Sequence, residues 1–82
     1  MNIRVLIVDD HPVVLKGLRF FLQTRPNIEI VDQAMNGKEA LQKVSALKPD
    51  VVLMDVIMPE MDGIEATKQI TATFPDVKVV LL

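Results

Sequence analysis

Four short apolar runs recur along the chain, at Ile3–Val8, Ile28–Val31, Val51–Met54 and Val77–Leu82, each rich in β-branched residues. Three of them are unbroken or nearly so, which is how a strand reads when both of its faces are covered in a parallel sheet. Ile28–Val31 alternates more and reads as a strand nearer an edge. The intervening segments carry helical signals. Pro12 suits the first position of a helix, with Asp10 or His11 as the cap before it, and Val14, Leu18, Phe21 and Leu22 then share one face. Asn36 followed by Glu39 resembles a capping box, and Ala40, Leu41, Val44 and Leu47 repeat at helical spacing until Lys48-Pro49. A third helix is expected from near Ile64, after an Asp62-Gly63 turn, to a stop before Pro75.

The order is therefore β-α-β-α-β-α-β, and right-handed crossovers turn that order into a parallel sheet with helices on both faces. If the winding reverses once, the first and third strands become central neighbours. The first helix then lies on one face, and the second and third share the other. Ligands of such sheets bind at the carboxyl ends of the strands, beside the reversal point.

Composition narrows the class. The chain has 82 residues, enough for one domain, and 50% of them are hydrophobic, a globular and not a disordered balance. With three Phe and no Tyr or Trp, the core has to be built from Val, Ile, Leu and Met. A net charge of −2 without a basic run argues against nucleic-acid or anionic-membrane binding by this segment. The absence of Cys excludes a disulfide framework and thiolate chemistry. Asp9 and Asp10 end the first apolar run far short of a membrane span, so a cytoplasmic domain is expected.

The acids carry the candidate chemistry. Asp9 and Asp10 follow directly on the first strand and Asp55 directly on the third, so the expected sheet order brings all three to one crevice. Carboxylates at close range repel unless a cation or a proton intervenes. A hard divalent ion resolves the repulsion, and Mg²⁺ takes one or two carboxylates with waters and a phosphate oxygen. Each acid also has a plainer reading: Asp9 or Asp10 as a helix cap, Asp55 as turn chemistry. His11 reads as a surface or capping residue, and Lys16, Arg19, Lys38, Lys43 and Lys68 as solvated helix faces.

The stretches VLIVDDHP and VVLMDVIMPEMDG, taken together and in order, resemble the response-regulator receiver family of two-component signalling. DDHP and GKEAL further resemble its NarL/FixJ subgroup, which usually carries a helix-turn-helix output domain that binds DNA. The resemblance implies a flavodoxin-like doubly wound α/β fold in which Asp55 takes a phosphoryl group from a sensor histidine kinase. It further implies Mg²⁺ held by Asp10 and Asp55, by Asp9 through water, and by the backbone carbonyl of Ile57. Pro59 and Gly63 would shape the loop after Asp55.

Relative to that family the sequence, residues 1–82, is expected to be the N-terminal part of a single receiver domain without an output domain. It lacks the usual last strand and last two helices, and with them the Ser or Thr and the Lys that grip the phosphoryl oxygens. An uncovered fourth strand at Val77–Leu82 is expected to favour a homo-oligomer. Two rivals stay open. A haloacid-dehalogenase-like phosphohydrolase would want a second Asp two residues after its nucleophile on the first strand, where His11 stands after Asp9. A self-associating fragment with no working chemistry is the other.

Overall fold

The computed structural model describes residues 2–55 and 63–82. The chain runs β1 (Ile3–Val8), α1 (Pro12–Leu22), β2 (Ile28–Ala34), α2 (Gly37–Leu47), β3 (Val51–Met54), α3 (Gly63–Thr73) and β4 (Lys78–Leu81). All strand pairs are parallel and the sheet order is β2-β1-β3-β4, with β1 and β3 central as expected. Among the described residues no helix is long and apolar enough to cross a membrane.

Two cores form because successive strand residues point to opposite faces. Leu6, Val8, Val52 and Met54 meet Ala40 and Val44 of α2 and Ala66 and Ile70 of α3, all fully buried. On the other face Val5 and Ile7 pack with Leu15 of α1, flanked by Leu18, Leu22, Ile28 and Ile30. The helices thus divide between the faces as the winding requires.

Several expectations need correction. β2 runs to Ala34, not Val31, because a bulge between Val5 and Leu6 of β1 lets Val31 of β2 go unmatched. The bulge explains why Ile30 and Ala34, both even-numbered, serve opposite cores. On α1 Leu15 is the buried residue, with Leu18 and Leu22 partly buried beside it; of the expected face Val14 and Phe21 are exposed, Phe21 with the Arg25 guanidinium 4.7 Å from its ring centre. α3 begins at Gly63, within a residue of the expected start near Ile64; Gly63 is buried, and the Asp62 half of the expected turn lies outside the described residues. β4 is shorter than the apolar run, with Val77 buried and Val79 packed on the core; Val80, Leu81 and Leu82 are exposed.

The caps account for the helix ends. Asn36 Oδ1 accepts the Glu39 N–H at 2.7 Å, one half of the expected capping box, while the Glu39 carboxylate lies 3.0 Å from Lys43 Nζ. α2 closes on Lys48 in the left-handed region (φ 48°), the only non-glycine residue with positive φ among those described. Its carbonyl accepts from Arg4 Nη1 at 3.0 Å, tying the helix end to β1. Lys43 is not a solvated lysine: it donates to the Gln33 carbonyl and also lies 3.2 Å from Asp32. Burial alone would lower its pKa, but the hydrogen bonds to Glu39 and Asp32 outweigh that and raise it.

Candidate functional site

Three backbone hydrogen bonds carry the sheet ladder one residue past the strand ends. The Asp9 N–H donates to Ala34 O at 3.0 Å, the Asp55 N–H to Val8 O at 2.9 Å, and the Leu82 N–H to Met54 O at 2.9 Å. Asp9 and Asp55 are therefore anchored by the same ladder that aligns the core. Their side chains emerge at the carboxyl ends of the two central strands, where a doubly wound sheet binds its ligands.

One side-chain donor atom from each of Asp9, Asp10, His11 and Asp55 falls within 4.8 Å of the others. The side chains are graded in exposure: 6% for Asp9, 19% for Asp55, 30% for Asp10 and 63% for His11. Asp9 Oδ1 accepts the His11 backbone N–H at 2.9 Å and lies 2.7 Å from His11 Nδ1. An ionised carboxylate only accepts, so Nδ1 carries the hydrogen of that bond. The pair forms a tight local turn of the kind Asp favours, and it aims the ring into the crevice.

Nδ1 is also 3.0 Å from Asp10 Oδ1 and 3.8 Å from Asp55 Oδ2. A single N–H cannot serve all of these oxygens, and the buried Asp10 Oδ1 has no hydrogen-bond partner. The hydrogen bond to Asp9, then the charge of Asp10, raise the His11 pKa above its ordinary 6.5 against an opposing effect of desolvation.

A buried carboxylate oxygen without a hydrogen bond, clustered with two further carboxylates, suits a hard divalent cation, which requires oxygen ligands and compensates clustered negative charge. Asp9, Asp10 and Asp55, the sequence-predicted ligands, are brought together. Gly63 is the buried first residue of α3. The expected Ile57 carbonyl and Pro59, along with Met58, Met61 and Asp62, lie outside the described residues. His11, expected as a surface or capping residue, is the exposed N-cap residue of α1; what sequence reasoning missed is that its ring also meets the acids, a contact signalled by its position two residues after Asp9, within reach of an Asx-type turn.

Comparison with known proteins agrees with this geometry. Residues 5–82 match the response regulator receiver domain, and the chain belongs to that family, the signalling domain of two-component systems. It is 49% identical to the response regulator protein VraR of Staphylococcus aureus over all 82 residues, which span 39% of that relative's length. Among solved structures it resembles the response regulator domain of Thermotoga maritima CheB (TM-score 0.94, 38% identity, 99% of this chain and 60% of that one). RcsB from Salmonella enterica serovar Typhimurium, bound to a promoter in the presence of the phosphomimetic BeF3⁻, is similar as well. It matches at TM-score 0.91 and 30% identity, over 99% of this chain and 42% of that one.

Proposed function

We propose that Asp55 is a phosphoacceptor, and that Asp9, Asp10 and Asp55, with the Ile57 carbonyl, form a Mg²⁺ site beside it. The observation that carries this reading is the Asp55 carboxylate at the end of a central strand, clustered with a buried oxygen of Asp10 that accepts no hydrogen bond. A carboxylate oxygen of Asp55 attacks phosphorus, the bond from phosphorus to the donor breaks, and the donor keeps the electron pair. The donor is a phosphohistidine on a sensor kinase. Bound Mg²⁺ supplies charge neutralisation and alignment of the phosphoryl oxygens.

The chain's own contribution is positioning. The Asp55 N–H to Val8 O bond holds the acceptor backbone to β1, and the Asp9–His11 turn fixes the second acid at its side. The phosphomimetic in the RcsB structure supports the same chemistry here. At the level of the longer protein, that promoter complex supports transcription control through a DNA-binding domain outside this segment. Exposed Val80 and Leu81 at the edge of the sheet support pairing with a second copy.

The test is incubation with Mg²⁺ and acetyl phosphate, read by intact mass beside Asp55→Asn. One added phosphoryl group on the wild type and none on the variant is the expected result. Equal labelling of both, or labelling of neither, removes the assignment. Sustained turnover of a small phosphate ester would instead favour a phosphohydrolase.

A further inference from the structure

The dipeptide Asn36-Gly37, which opens α2, carries chemistry that the acidic crevice does not use. We infer that it is a deamidation site gated by the fold: closed while Asn36 caps α2, and reactive when the first turn of that helix opens.

The reaction needs only the chain and water. The Gly37 amide nitrogen, giving up its proton, attacks Cγ of Asn36. A new N–Cγ bond forms, the bond from Cγ to the side-chain nitrogen breaks, and ammonia leaves with that electron pair. Water then opens the five-membered imide at one of its two carbonyls. Breaking the new N–Cγ bond gives aspartate; breaking the old peptide bond gives isoaspartate. Glycine is the follower that hinders this attack least, because it has no Cβ and the freest backbone.

The native cap opposes ring closure in two ways. Asn36 is extended, with φ −157° and ψ 170°. The imide ring holds Cβ, Cα, the carbonyl carbon and the Gly37 nitrogen near one plane, and at a tetrahedral Cα that plane requires a ψ far from the one observed. Asn36 Oδ1 also accepts the Glu39 N–H at 2.7 Å, which commits the side-chain amide to the third residue of the helix. The peptide unit that would react is itself held: Asn36 O accepts the Ala40 N–H at 3.0 Å, and Gly37 is buried.

The neighbouring contacts show what must loosen. Lys43, one turn on from Glu39, lies 3.0 Å from it and 3.2 Å from Asp32, and donates to the Gln33 carbonyl. Lys43 thus ties the first turn of α2 to β2. The two products differ in fate. Aspartate at this position caps as well as asparagine and puts a negative charge where the helix dipole favours it. Isoaspartate adds a methylene to the backbone and cannot rebuild the same cap.

The experiment incubates the 82-residue chain in mildly alkaline buffer, folded and unfolded in urea. Amide-to-acid conversion is then followed by mass in the fragment that holds residues 36 and 37. A reaction that proceeds only through opening is slowed by the opening equilibrium, so folded wild type should react about tenfold or more slowly than unfolded. Lys43→Ala, with its fold checked by circular dichroism, should react several-fold faster than wild type when folded and equally fast in urea. Asn36→Asp should keep a urea midpoint no lower than that of wild type. Equal rates in folded and unfolded wild type overturn the gate, and no conversion in the unfolded chain overturns the site. An unaltered rate in folded Lys43→Ala overturns the assignment of the gate to the first turn of α2. A clear drop in midpoint for Asn36→Asp overturns the fate given to the aspartate product.

Discussion

Replacing Asp10 by Asn should make the metal-free protein more stable. Asp10 Oδ1 is buried without a hydrogen bond, and its carboxylate shares a crevice with two others. Two unit charges at the 4.8 Å limit of the cluster repel by about 3.5 kcal/mol at an effective dielectric of about 20. The Asp10 side chain is 30% exposed, so water screens much of that, leaving a gain of roughly 1–2 kcal/mol for Asp10→Asn. Against a total stability of roughly 4–12 kcal/mol for a chain of this length, that is readily measured.

The sign depends on His11. Its pKa is raised in the folded protein, so its attraction to the acids is fully present below 6.5 and is lost as the pH rises through the folded value. The variant's advantage should therefore be largest near pH 9 and shrink toward pH 6. Urea denaturation in EDTA at those two pH values measures it, and the same titration in excess Mg²⁺ should reverse the order. A ligand at a hundredfold its Kd adds about 2.7 kcal/mol to the protein that binds it, and Asp10→Asn should forgo most of that. An Asp10→Asn variant no more stable than wild type in EDTA at pH 9 would refute the electrostatic reasoning. Equal Mg²⁺ stabilisation of both proteins would refute the ligand assignment.

Other expectations follow from the packing. Ile70→Ala should lower stability by about 3–4 kcal/mol, since the side chain is fully buried between α3 and the sheet; a loss under 1 kcal/mol in urea would show that the site collapses. Lys48→Gly should raise the melting temperature, relieving left-handed strain by about 0.5–1 kcal/mol, and a lower melting temperature would contradict the cap. The Gln33 N–H, then the Lys43 ammonium, hold the Asp32 pKa below its ordinary 3.8, so its contribution is present above that value and lost as the pH falls through the folded one. Acid titration should thus destabilise wild type slightly more than Asp32→Asn, and a parallel course would deny that coupling.

The sequence made the sheet order legible because each strand is a short apolar run and each helix has its own punctuation. Crossover handedness then left little freedom, and Asp9, Asp10 and Asp55 fell together as a result. What escaped was tertiary. The end of β2 was hidden because Asp32 and Gln33 are polar and the bulge at Val31 breaks the period of two. Leu15 was passed over in favour of Phe21, since both fit a helical stripe and only the facing sheet distinguishes them. Lys43 resembled any helix-surface lysine because two of its partners, Gln33 O and Asp32, lie on β2 and not on its own helix. His11 stands at the helix cap and the surface as expected; its contact with Asp9 escaped because the partner is so near in sequence that the contact depends on local torsions.

The ladder bonds that run past the strand ends have a dynamic consequence. The amides of Asp9 and Asp55 are bonded to the carbonyls of Ala34 and Val8, residues that are themselves in the fully buried core. These two amides should exchange with solvent deuterium only when the central sheet opens as a whole, not through fraying of a loop. The backbone of the proposed phosphoacceptor, Asp55, is therefore tied to the motion of β1. Whatever occupies the crevice is felt as a change in the opening rate of β1 and β3 together, so ligand occupancy can be followed at amides far from the acids.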